Sequence, residues 1–488
     1  MPAPHPDSAE HAVARPTALR RIADLPGPRG LPFLGNALQF RSPSLHLALE
    51  AWAVQYGPYY QLRAAGRRIL VLSDHQVVAS VLRNRPAAFS RTARLREIGQ
   101  EMGLQPGLFS AEGEDWMRQR RMVMAGFDPG HVRAYYPALL TVAQRLIKRW
   151  TDAALRQETI VLQSDLMRYT VDTIAGLAFG AEVDTLGSDG DVIQQHLDKV
   201  FPALFRRITA PIPLWRLFPS RADRALARSM VEVNKAVDGF IAQARSRMQA
   251  EPQRHTQPHN LLEAMLAAAD RPDSGLTDAQ VAGNVMTMLL AGEDTTANTI
   301  AWMIHLLWTH PQALDRARTE VRTKVQDCQR PTMEEVASLE FIEACIHETM
   351  RLKPVGPQLP LQANADVLVG DVQVPRGTIV INLLRRDSVR EDLVPQASRF
   401  EPERWLQSDN PAKRSSTPFG AGPRICPGRY LAMLEMKIAM TALLGHFDIE
   451  FVGTADGQPP KERLSFATMP VGLQMRLRNR MQSVSPTL

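Results

Sequence analysis

The sequence predicts a mainly α-helical protein with a small β component. Three observations support this: long segments carry apolar residues at steps of three and four, strand-like runs are short and few, and no repeat or linker divides the chain. The helix-period segments are 136–155, 221–249, 278–309, 311–326, 333–352 and 428–447. The strand-like runs are Tyr59 to Leu62, Ile69 to Leu72, Thr378 to Leu383, and a final pair near 447–452 and 470–477. With 488 residues, 44% of them hydrophobic, the chain can bury one large core. Without Gly/Ser-rich or charged linkers, residues 25–478 read as one compact unit between a disordered leader over 1–24 and a tail over 479–488.

Composition excludes several classes. A net charge of +6 without dense basic blocks does not suit a nucleic-acid binder. Cys328, Cys345 and Cys426 are the only cysteines, so no disulfide framework is expected and a reducing compartment is the better match. Met1 to Ala23 is rich in Pro, Ala, His and Arg and holds no apolar run long enough for a signal peptide. No later stretch reaches the roughly 18 apolar residues of a membrane span. A soluble, cytoplasmic protein is the expectation. The Pro- and Gly-punctuated segment Leu25 to Gly35 must be extended and turned.

The sharpest signal is Phe419-Gly-Ala-Gly-Pro-Arg-Ile-Cys-Pro-Gly428, followed by the helical pattern Leu431, Leu434, Ile438. Its glycines let the backbone approach a bound partner closely, and Pro427 suits a first helical position. A cysteine just before a helix start meets free N–H groups and partial positive charge, which favour a thiolate metal ligand. The plainer alternative is a buried structural cysteine in a Gly-rich turn.

This loop resembles that of the cytochrome P450 family, which reads Phe, two any, Gly, any, Arg, any, Cys, any, Gly. Every fixed position is met. The resemblance implies a single-domain fold with haem b between a long central helix and the cysteine loop. It makes Cys426 the proximal iron ligand, pushing electron density onto the iron to favour O–O cleavage. It pairs Arg424 with a haem propionate, has Phe419 shield the sulfur, and puts Gly420 and Gly428 against the cofactor.

Thr277-Asp-Ala-Gln280 reads as a capping box that starts a helix running to about Thr309, about 48 Å at 1.5 Å per residue. In its middle lies Ala291-Gly-Glu-Asp-Thr-Thr296, where Gly292 weakens the helix and a threonine hydroxyl can take up a backbone carbonyl, opening a kink or groove. An acid beside an alcohol can relay protons. The family pattern here is Ala or Gly, Gly, any, Asp or Glu, Thr. The resemblance gives Asp294 and Thr295 the roles of proton delivery and oxygen binding, and has Ala291 and Gly292 make room over the haem.

Glu348-Thr-Met-Arg351 sets opposite charges three apart, a spacing worth only about 0.3 kcal/mol on a helix surface. With Arg404 in Phe400-Glu-Pro-Glu-Arg-Trp405 it resembles the family's buried Glu-Arg-Arg triad, a structural network suited to arginine's planar fork. Trp116-Met-Arg-Gln-Arg120 fits the family element in which Trp116 and Arg120 bond the propionates. Arg385 in Leu384-Arg-Arg-Asp387 replaces a common histidine, which leaves its propionate contact open. The resemblance covers roughly residues 25–478.

The resemblance also implies two electrons per turnover, ultimately from NAD(P)H, with O2 as cosubstrate. The residues after 478 are too few for a flavin or iron-sulfur module, so a separate donor is expected. Arg118, Arg121, Lys413, Arg414, Arg429 and Lys437 either form a basic patch for an acidic ferredoxin or flavodoxin or are ordinary solvated surface. By family position the pocket draws on the stretch before Trp116, on 200–218, on Thr287, Met288 and Ala291, on Val355 to Leu359, and on Thr468 and Met469. These mainly apolar residues suggest a lipophilic substrate such as a fatty acid or terpenoid, and Phe201 to Phe218 a mobile hydrophobic entrance. A peroxide-driven peroxygenase or hydroperoxide isomerase is the first rival. Asp294 and Thr295 argue against it. A haem sensor without turnover is the second, disfavoured by the Gly292 groove.

Overall fold

The computed structural model describes residues 19–480, apart from 65, 128, 182 and 189–192. Six helices position the site: α1 (Gly113–Gly126), α2 (Leu162–Phe179), α3 (Val200–Thr209), α4 (Asp278–Trp308), α5 (Glu340–Leu352) and α6 (Arg429–His446). Helix α4 crosses the core and packs against α2, α5 and α6. It is buried over most of its length, and takes polar residues such as Asn284, Glu293, Asp294 and Asn298 into the core with it. The expected box is formed: Thr277 Oγ1 accepts the Gln280 N–H, and Gln280 Oε1 accepts the Thr277 N–H.

The β component is peripheral. Its largest sheet has five strands in the order Tyr59–Ala64, Arg67–Leu72, Ile379–Leu383, Gln358–Ala363, Phe89–Ser90. Val380 pairs Leu70 on one side and Leu361 on the other, all three fully buried. A second sheet pairs Phe447–Thr454 with Leu473–Asn479, and a small hairpin joins Glu462–Ser465 to Ala467–Pro470.

Three expectations need correction. The 333–352 segment is two helices, Met333–Ala337 and α5, because Ser338 closes the first. The Glu320 carboxylate, from a different helix, then caps the second by accepting the Phe341 and Ile342 N–H groups at 2.9 Å. The leader is shorter than predicted. Arg20 and Arg21 pair with Val372 and Gln373, and Ile22 is buried; residues 1–18 lie outside the described residues. Asn479 and Arg480 likewise belong to the fold, pairing Phe447 and bonding the His446 carbonyl. Among the described residues no helix is long and apolar enough to cross a membrane.

Candidate functional site

The cysteine loop is shaped by its glycines. Gly422 has φ +71°, and a Cβ there would sit 2.6 Å from the Arg83 Cα, so no other residue fits. Gly420, at φ +75°, is demanded by its backbone angle alone, since a Cβ there would meet nothing. The Cys426 N–H donates to the Phe419 carbonyl at 2.9 Å and closes the loop. Helix α6 is capped by Gly428 and starts at Arg429, so Pro427 precedes the cap and is not the first helical residue. Burial pushes the Cys426 thiol above its ordinary pKa, while the Gly428 N–H, Arg120 and Arg429 pull it back. A sulfur so placed stays protonated at neutral pH unless a cation binds it, and a coordinating metal removes the proton outright.

Beside the loop lies a surplus of positive charge. Arg424 donates to the Ala111 carbonyl at 2.6 Å and to Glu112 Oε2 at 2.5 Å, and its guanidinium lies 4.8 Å from the Trp116 ring centre. Its buried Nε has no partner. Arg120 makes no hydrogen bond or ion pair among the described residues, and burial lowers its pKa. Burial, then repulsion among arginines, lowers Arg85 to about 10 and Arg91 to about 9. Arg96 adds to the repulsion at Arg424, and Glu112 is the carboxylate that opposes it. These half-satisfied guanidiniums fit a ligand carrying two carboxylates, as haem does. Arg424, Trp116 and Arg120 were expected here. Arg85, Arg91 and Arg96 were missed, because isolated arginines on separate elements carry no spacing signal.

On α4, Ala291 is exposed between buried Leu290 and half-buried Gly292, and Thr295, one turn on, donates its hydroxyl to the Ala291 carbonyl at 2.7 Å. The helix runs unbroken through this stretch. Gly292 faces elsewhere: a Cβ there would lie 2.6 Å from Ile174 Cγ1, so this glycine permits close packing of α2 and does not widen the site. Asp294 is 7% exposed, and burial, with Asp198 adding, raises its carboxyl to about 7. Glu293 is buried beside it and is also pushed up by burial.

Asp294 has a stability consequence. A carboxyl whose folded pKa exceeds its unfolded value binds its proton more tightly when folded. Its contribution is therefore complete below the unfolded value and lost as pH climbs to about 7, by at most about 1.4 kcal/mol per pH unit. Asp294→Asn should flatten this part of the urea-midpoint slope between about pH 4 and pH 7. A slope unchanged by the substitution would refute the assigned protonation.

The predicted triad is assembled. Arg351 grips Glu348 through Nε at 2.8 Å and Nη2 at 2.7 Å, and Arg404 Nε reaches Glu348 Oε1 at 3.0 Å. The Trp405 indole N–H adds a bond to Glu348 at 2.7 Å, which sequence spacing did not indicate. Arg385 holds Glu50 through two bonds of 2.9 Å and Glu462 at 2.8 Å, an internal ion-pair network. Lys437 is also no surface residue, being buried against Glu343 and the Ala337 carbonyl. Thr468 and Met469 are buried, and the neighbouring Phe466 at the hairpin tip is the partly open side chain.

The family model for cytochrome P450 matches residues 25–477. The chain belongs to the cytochrome P450 family. It is 28% identical to Protein LUTEIN DEFICIENT 5, chloroplastic, of Arabidopsis thaliana over 89% of this chain and 74% of that protein. It is 25% identical to cytochrome P450 3A29 of Sus scrofa over 87% and 85%. A self-sufficient cytochrome P450 monooxygenase of Phanerodontia chrysosporium is 28% identical over 87% of this chain and 40% of its own length. The crystal structure of the cytochrome P450DA heme domain superposes with a TM-score of 0.80 at 24% identity, covering 95% of this chain and 99% of that one. This P450 is thus an oxidoreductase of the monooxygenase type, with haem as cofactor and O2 as cosubstrate.

Proposed function

We propose that this P450 hydroxylates or otherwise mono-oxygenates a lipophilic small molecule, using electrons from a separate ferredoxin- or flavodoxin-type donor supplied by NAD(P)H, in the cytoplasm. The observation that carries the site assignment is the arginine surplus around Arg424 beside the Cys426 loop, because it fits the two carboxylates of a haem. Cys426 would bind the iron, Arg424 and Arg120 the propionates, and Phe419 would screen the sulfur. Bound haem supplies the iron at which O2 is reduced and one oxygen atom passes to substrate. Thr295, on the exposed face beside Ala291, would exchange its bond to the Ala291 carbonyl for one to the oxygen side, and Asp294, holding a proton near neutral pH, would resupply it. Arg121, Lys413, Arg414 and Arg429 are exposed and offer an acidic donor a basic surface.

The test is the absorption spectrum of the dithionite-reduced protein with carbon monoxide. A strongly red-shifted Soret band is expected; an ordinary, histidine-like band would overturn the assignment of Cys426. Thr295→Ala should then uncouple the enzyme, with oxygen consumption continuing while product per O2 falls by roughly 10-fold or more, the scale of a lost proton-transfer group. Unchanged coupling would remove Thr295 from proton handling.

A further inference from the structure

Three phenylalanines from distant parts of the chain meet in one stack. Phe466 lies face to face with Phe201, ring centres 4.6 Å apart and planes 7° apart. Phe109 is tilted against Phe466 as well, ring centres 5.8 Å apart. The Arg91 guanidinium, part of the arginine cradle, caps Phe109 at 4.0 Å. The Phe109 loop and the Phe466 hairpin both lie against α4. The loop before Phe109 rests on α4 through Gly107, where a Cβ would lie 2.1 Å from Thr287 Oγ1. Leu108 N–H donates to Asn284 Oδ1 at 2.9 Å. The Phe466 hairpin is fixed by Thr468, whose hydroxyl donates to the Pro354 carbonyl at 2.6 Å and whose N–H donates to Val355 at 2.8 Å. The Phe109 end of the cluster therefore meets α4 one to two turns before Ala291.

The backbone at Phe466 is out of keeping with its side chain. Ser465 pairs Ala467, which leaves Phe466 alone at the hairpin tip with φ +95°. Glycine is the ordinary occupant of such a tip, and a bulky residue there is strained. Strain of this kind persists where surrounding contacts hold it, and it gathers at ligand clamps. Here the contacts that hold it are the two neighbouring rings.

We infer that Phe466 and Phe201 form a specificity-determining aromatic clamp, which admits a ligand when Phe466 swings aside and favours a flat, apolar ring system that stacks on Phe201 in its place. The inference rests on the monooxygenase reading and names its substrate class. A flexible aliphatic chain would recover the buried area on Phe201 but not the ring-on-ring contact. The preference is therefore roughly 2- to 10-fold, the range a ring pair contributes beyond its area.

The experiment uses the full-length haem-loaded protein and two probes that present the same imidazole nitrogen to the iron, N-phenylimidazole and N-hexylimidazole. Affinities and association rates are read from the ferric Soret shift. Phe201→Leu keeps apolar bulk without a ring and should lower the phenyl-to-hexyl affinity ratio by roughly 2- to 10-fold. Phe466→Gly suits the positive φ, should fold at least as well, and should speed association of both probes several-fold. An unchanged ratio in Phe201→Leu, or unchanged association rates in Phe466→Gly, overturns the inference. If the wild type also lacks the red-shifted carbonyl band, the monooxygenase reading falls with it. With the band present, only the clamp falls.

Discussion

Cys426→Ser is expected to abolish the red-shifted carbonyl Soret band of the reduced protein, and product formation with it, while leaving the fold standing. The two effects separate because of what Cys426 touches. Its backbone N–H closes the loop onto the Phe419 carbonyl, and serine keeps that bond. Its sulfur receives the Gly428 N–H, which a serine oxygen can also accept. The side chain is thus nearly dispensable for the loop. For the iron it is not: a hydroxyl stays protonated at neutral pH and offers no soft anionic ligand, whereas a thiol yields a thiolate on metal binding. Far-UV circular dichroism and the carbonyl spectrum, recorded on the same sample, decide the matter. A variant with native helicity and an unshifted band fulfils the expectation. A native red-shifted band in Cys426→Ser would sink the ligand assignment.

Local chemistry in this chain was legible, and tertiary chemistry only where a spaced family motif carried it, as for Glu348 with Arg404. The Thr277 and Gln280 box, the strands holding Leu70 and Val380, and the residues flanking Cys426 could be read because each depends on neighbours within a few positions, whereas the strand Gln358–Ala363 on the other side of Val380 was not read. The break before α5 could not be read, because the group that caps its N–H donors is Glu320, from another helix. Gly292 was misassigned for a similar reason. Its motif position is compatible with room for a ligand, but only the packing reveals Ile174 against it. The arginine cradle divides the same way. Arg424, Trp116 and Arg120 sit in spaced motifs, whereas Arg85, Arg91 and Arg96 acquire meaning only when the fold gathers them around Glu112.

Glu348→Ala is expected to cost about 3–5 kcal/mol, the penalty for breaking a buried ion pair from one side. It should also yield protein that does not retain haem. Glu348 and Arg351 have no exposed side-chain surface. Without the carboxylate, the Arg351 and Arg404 guanidiniums, the Trp405 indole and the Glu401 N–H all lose an acceptor where water cannot replace it. Against a total stability of about 5–15 kcal/mol, that loss is a large share. The exposed pair Arg133 and Glu334, 71% and 72% exposed, provides the contrast: Glu334→Ala should cost about 1 kcal/mol or less. Urea unfolding and bound haem per protein are the measurements, and a Glu348→Ala variant with wild-type midpoint and haem content would refute the role. The haem effect follows from what Arg351 and Arg404 do with their remaining nitrogens. Arg351 binds the carbonyls of Ser388, Ala397 and Arg399, and Arg404 those of Pro395 and Gln396. Glu348 therefore orients two forks that hold the irregular chain leading into the Cys426 loop, and releasing them frees the loop that must present the sulfur.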